Sequence, residues 1–118
     1  MLGASAILAF VQGEAGAAVV ESALADDPRC SAVNWSEVAQ KVFGAGRGWD
    51  LVRGLLLSCD IEVEPVTAAA EWAVRRWKPG EGLSLADRLC LALAERLDCG
   101  ILTADRSWRP SSRVAQIR

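Results

Sequence analysis

Residues 82–108 read GLSLADRLCLALAERLDCGILTADRSW, and the order of events inside this stretch decides the fold. Ser84 suits the cap of a helix in which Leu85, Leu89, Leu93 and Leu97 recur every fourth residue and share one stripe. Asp98 and Gly100 suit its end. The chain then turns apolar at Ile101 and Leu102 and polar again at Thr103 and Asp105. That is the pattern of a short buried strand delivering polar groups from its C-terminal end.

The alternation continues on either side. Residues 5–11 and 15–24 predict short helices, with Gly13 and Gly16 loosening the junction. RCSAV at 29–33 follows the turn-like DDP and predicts a strand. From Asn34 a helical pattern runs to about Val42, where GAGRG breaks it. WDLVRGLLLS at 49–58 predicts a helix despite Gly54, which costs about 1 kcal/mol relative to alanine. IEVEPV at 61–66 alternates with period two. TAAAEWAVRRW at 67–77 is rich in helix formers, with Thr67 as its candidate cap, and RVAQIR at 113–118 predicts a last strand. Strands alternating with helices predict an α/β fold with a parallel sheet and helices on both faces. No interdomain linker interrupts residues 1–118, so one domain is expected.

Composition limits the function. The chain has 118 residues, 52% hydrophobic and 24% charged, which is the balance of a folded domain and not of a disordered one. Its formal net charge of -2 excludes a broad basic face gripping nucleic acid, so any such contact must be local, brief or metal-assisted. Charged residues or glycine interrupt every apolar run before about 18 residues, and the first ten residues lack the basic start of a secretory signal. No membrane contact and a cytoplasmic location are expected. Cys30, Cys59, Cys90 and Cys99 are spaced too widely for paired zinc ligands, and histidine is absent. They read as small buried hydrophobes.

In parallel α/β sheets, ligands bind beyond the carboxyl ends of the strands. Of the 15 acidic residues, Glu37, Asp87 and Asp105 follow an apolar strand candidate or open a helix. Each also has a purely structural reading. With Asn34 or Ser84 as cap, Glu37 and Asp87 fall at the third helical position, the place of a capping-box acid, and Asp105 suits a turn. Their convergence adds chemistry to those readings. Three carboxylates at one end of a sheet repel one another unless a cation lies between them, and an all-oxygen donor set suits Mg2+ or Mn2+. Such a site serves phosphodiester hydrolysis with one ion or two. Arg88, Arg106 and Arg109 are candidate phosphate contacts.

Four segments, ASAILAF, SAVNWSEVAQKV, GLSLADRLCLALAERL and ILTADRSW, occur in the order found in the PIN-domain ribonucleases. The chain resembles that family, and within it the VapC-like toxins of bacterial type II toxin-antitoxin systems. The resemblance implies a three-layer α/β/α sandwich with a mostly parallel sheet, divalent-metal-dependent RNA cleavage, a cognate antitoxin that blocks the acidic groove, and a homodimer. It also implies catalytic and metal-binding roles for Glu37, Asp87 and Asp105. Ser5 and Thr103 match small polar positions of the same pocket, and Asn34 matches a companion polar residue and helix cap.

Gly3 departs from the pattern. The family carries a metal-binding aspartate there, at the end of a longer apolar strand, whereas only Met1 and Leu2 precede Gly3 in this sequence. Metal affinity and catalysis are therefore expected to be weakened, and a catalytically inactive relative that binds a partner protein is the alternative. A small phosphohydrolase is a third, weaker reading. Among the tryptophans, Trp49, Trp72 and Trp77 suit helix packing, Trp35 faces core or groove, and Trp108 either packs or stacks on a base.

Overall fold

Residues 1–3 hold the middle of the sheet. In a computed structural model describing residues 1–76, 80, 82–109 and 111–118, the Leu2 N–H donates to Arg29 O at 2.7 Å and the Leu102 N–H donates to Met1 O at 2.9 Å. The Gly3 N–H returns a bond to Leu102 O at 2.9 Å. The expected first strand is thus reduced to one parallel bridge, Leu2 with Leu102. On one side lies β1 (Arg29–Ser31), paired parallel with β2 (Glu62–Glu64). On the other lies β3 (Ile101–Thr103), paired parallel with β4 (Val114–Gln116). Parallel neighbours need a long crossover. Between β1 and β2 it is supplied by α3 (Ala32–Gly44) and α4 (Trp49–Ser58).

Helix α1 (Ala4–Gln12) starts directly after Gly3 and buries Ala6, Ile7 and Ala9 among Leu2, Val20, Cys30, Val38 and Leu56. It ends at Gly13 in the left-handed conformation, and α2 (Ala17–Leu24) follows a sharp reversal. Gly16 there cannot be replaced cheaply, because its φ is +91° and a Cβ would lie 2.8 Å from Ile117. Helix α5 (Leu85–Arg96) buries Cys90 and Ala94 with Ile101, Trp108 and Val114. The alternation of helices with short parallel strands is the α/β class expected from the sequence.

Several local expectations need correction. The strand at 29–33 stops at Ser31 because Ser31, and not Asn34, caps α3: its Oγ accepts the Asn34 N–H at 3.1 Å and donates to Asn34 Oδ1 at 2.7 Å. The hydroxyl thereby satisfies a helix-end donor while Asn34 is buried inside the first turn. In α5 Leu85 is 60% exposed, whereas Cys90 and Ala94 are fully buried.

The described part of the 67–77 segment is not an α-helix. Ala68–Arg76 winds as a 3-10 helix against α5, tertiary context overriding alanine propensity. Thr67 caps nothing, since its Oγ1 accepts from Arg96 Nη1 at 3.0 Å. The expected end of this segment at residue 77 and the packing of Trp77 lie outside the described residues. Trp35 and Trp49 meet edge to face, centroids 5.3 Å apart, and join α3 to α4. Trp72 is half exposed in place of the expected packing. Among the described residues no single helix is long and apolar enough to cross a membrane.

Leu2 is 2% exposed at the junction of both half-sheets. Leu2→Ala is expected to destabilise the protein by about 2 to 5 kcal/mol, measured as a lower denaturant midpoint at constant m-value. A loss below about 1 kcal/mol would show that the junction carries little of the fold.

Candidate active-site cleft

The acids reach one place from three directions. Glu37 rides the second turn of α3, Asp87 opens α5, and Asp105 follows β3. With Gly3, Ala4, Ser5, Asn34, Lys41, Thr103 and Trp108 they line one open cleft of about 90 Å3. All the residues expected at the site from the sequence are here except Arg88 and Arg106, which do not line it. Arg109 is likewise absent from its walls. Lys41, one turn beyond Glu37 on α3, takes the place expected of those arginines. Its signal in the sequence was the four-residue spacing from Glu37, which puts both on one helix face.

Local chemistry orients two of the acids. Asp87 completes a capping box: its Oδ2 accepts the Ser84 N–H at 3.0 Å while the Asp87 N–H donates to Ser84 Oγ at 3.1 Å. Asp105 Oδ1 accepts the Ser107 N–H at 2.9 Å, closing the turn after β3. Each keeps one carboxylate oxygen without a protein partner among the described residues. Glu37 differs, because with Ser31 as cap it is no capping residue and accepts no hydrogen bond there. The structural reading therefore holds in part for Asp87 and Asp105 and fails for Glu37.

Two hydroxyls stitch the floor. Ser5 Oγ and buried Thr103 Oγ1 lie 3.1 Å apart. Ser5 accepts the Ala104 N–H at 2.9 Å, and Thr103 accepts the Asp105 N–H at 3.0 Å. Helix α1 thus clamps the turn that presents Asp105. Gln116 clamps it from β4, donating through Nε2 to Asp105 O at 2.9 Å and Trp108 O at 3.1 Å. Trp108 is 4% exposed, packed in the core with one edge at the cleft.

Charge is concentrated without full compensation. Burial raises the Glu37 carboxyl above its ordinary value, the negative charge of Asp87 raises it further, and Lys41 partly offsets both. Burial also pushes the Cys90 thiol up to about 12 and raises that of Cys30, so both stay protonated. All four cysteines are free thiols, Cys30 and Cys90 serving as buried apolar side chains.

The donor set fits a hard divalent cation in kind, since every polar group except Lys41 offers oxygen and the chain has no histidine. The tight three-carboxylate cluster expected from the sequence is not formed. Among the described residues no three Asp, Glu, Cys or His side chains converge as a metal-binding group. Like charges in a cleft spread apart, and Gly3 brings no further carboxylate to its wall. A hydrated Mg2+ or Mn2+ needs no closed cage, because such ions keep several waters and take one or two carboxylates.

Comparison with protein families matches residues 1–111 to the PIN domain. No curated protein matches the chain.

The raised value of Glu37 has a definite sign in stability. Ionising it costs the folded state more than the unfolded one, so the penalty is absent below the ordinary value of 4.5 and grows as pH rises through the folded value. In metal-free buffer Glu37→Gln is expected to melt above the parent protein at neutral pH, the gap closing on acidification past that window. A gap of constant size across pH would contradict the electrostatic cause.

Proposed function

The chain belongs to the PIN-domain family, whose members are generally metal-dependent nucleases, and from that premise we propose that it is a divalent-metal-dependent endoribonuclease of the VapC toxin type. One observation carries the reading: Glu37, Asp87 and Asp105, from α3, α5 and the turn after β3, line the same cleft. Their chemistry suits Mg2+ or Mn2+, which one or two of these carboxylates would hold together with water. When bound, such a cation supplies Lewis-acid stabilisation of charge growing on a phosphoryl group and acidifies the attacking water.

The chain's own residues supply position and proton transfer. Asp87 and Asp105 are pre-oriented by Ser84 and Ser107 backbone bonds, so little reorganisation accompanies reaction. Glu37 lacks such an anchor, and its place on the wall of the same cleft suits it to take a proton from water. Ser5 and Thr103 keep the Asp105 turn at fixed distance from α1. RNA is the proposed substrate, with a cognate antitoxin and a second copy of the chain as protein partners. Exposed Phe43, Leu51 and Leu85 offer apolar surface for such partners.

Gly3 favours a second reading, a weakened or inactive relative that retains partner binding. Its backbone gives no reason for glycine: φ is -73° and ψ is 162°, extended geometry open to any residue. A Cβ there would lie 3.3 Å from Leu102 O and 3.9 Å from Thr103 Oγ1, so an aspartate is accommodated only if the Leu102 carbonyl gives by a few tenths of an ångström.

RNA cleavage with Mg2+ or Mn2+ added decides between the readings. Asp87→Asn, which retains an acceptor oxygen for the cap, is expected to lower the rate about 100-fold or more. Gly3→Asp is expected to tighten Mg2+ or Mn2+ binding, measured by titration, and to raise the rate. A folded parent protein that cleaves no RNA, with Gly3→Asp equally inert, would leave partner binding as the function.

A further inference from the structure

Lys41 lines the cleft and partly offsets the charge of Glu37 without forming a close ion pair. It stands in the last turn of α3, four residues after Glu37, and is exposed. Among the described residues it is the only basic side chain lining the cleft, and it makes no hydrogen bond and no ion pair within 4.0 Å. The arginines nearby in sequence are placed elsewhere: Arg88 and Arg106 lie outside the cleft walls, and Arg29, Arg113 and Arg118 are paired with carboxylates.

A nucleic-acid backbone approaching this cleft meets three carboxylates, and like charge opposes its entry. The chain as a whole offers no help, because its net charge is -2. A local cation beside the acids that is free to bond a phosphate oxygen eases that approach, in addition to the metal the acids would hold. An ammonium on a flexible four-carbon stem, carrying three donors, meets that need without a fixed geometry.

We propose that Lys41 is the phosphate-anchoring residue of the cleft, binding a backbone phosphate of single-stranded RNA next to the link to be cleaved. The inference rests on the nuclease reading and adds to it the group that holds the substrate. Lys41 positions the polyanion while Glu37, Asp87 and Asp105 serve the chemistry. Its location near the C-terminal end of α3 also lets it complement the helix dipole, but that role affects stability and not RNA affinity.

The test separates the two. Anisotropy of a labelled single-stranded RNA is followed in EDTA with salt varied over roughly 50 to 200 mM, for the parent protein, Lys41→Gln, Lys41→Glu and Lys41→Arg. Lys41→Gln is expected to weaken binding by about fivefold or more and to reduce the slope of log K against log salt by about 0.7, the loss of one phosphate contact. Lys41→Glu weakens it further and Lys41→Arg restores most of it. With Mg2+ or Mn2+ present, Lys41→Gln raises KM for cleavage while kcat stays within about twofold. Equal affinity and equal salt slope for parent and Lys41→Gln, in a parent that cleaves RNA, overturn the anchoring role and leave the nuclease reading standing. A parent that neither binds nor cleaves RNA overturns both. A fall in melting temperature with RNA affinity unchanged assigns Lys41 to the helix end alone and also overturns the proposal.

Discussion

The bonds made by Met1, Leu2 and Gly3 are the constraint on which the rest depends. Strands β1 and β2 form one parallel pair, β3 and β4 another, and no strand pairing joins them directly. Leu2 reaches Arg29 O with its N–H, and Met1 O receives the Leu102 N–H. Through these groups the helix carrying Glu37 and the turn carrying Asp105 belong to one framework. The burial of Leu2 at 2% exposure adds the apolar contribution that backbone bonds alone supply weakly.

The same three residues set the character of the cleft. Gly3 ends the central bridge and begins α1, so its small Cα forms part of the cleft wall. A side chain at this position points toward Thr103, where the Ser5 and Thr103 hydroxyls already order the floor. Glycine leaves the floor intact and brings no further carboxylate to the cleft. At Glu37 burial and the charge of Asp87 raise the carboxyl, with Lys41 in opposition.

Some features were legible in the sequence because they depend on neighbours a few residues apart. The Ser84–Asp87 capping box, the reversal at Gly13 and the apolar-to-polar change at Ile101–Thr103 each appear as read. Others were misjudged where two local signals competed. Ser31 and Asn34 both favour helix caps, and the choice fell to Ser31 because β1 ends there and the buried Asn34 side chain needs its hydroxyl as a partner. In α5 the buried positions are Cys90 and Ala94, while Leu89 and Leu93 of the leucine stripe line a groove with the 3-10 segment. Hydrophobicity locates an apolar face, but side-chain size decides how closely it approaches its neighbour.

By itself the sequence determined the α/β alternation, the helix capped at Ser84, and the choice of Glu37, Asp87 and Asp105 from among the 15 acidic residues. Short-range periodicity and strand-end position are sufficient for these. Only the tertiary structure decided that Lys41, and not Arg88 or Arg106, faces those acids, and that Glu37 is free of any capping role. It also decided how loosely the carboxylates gather. Those outcomes depend on how α3, α5 and β3 are set against the bridge at Leu2, a long-range arrangement that no local pattern encodes. The absence of a carboxylate at Gly3 was plain from the sequence, but that a side chain there meets an extended backbone open to any residue and presses first on the Leu102 carbonyl followed from the tertiary structure.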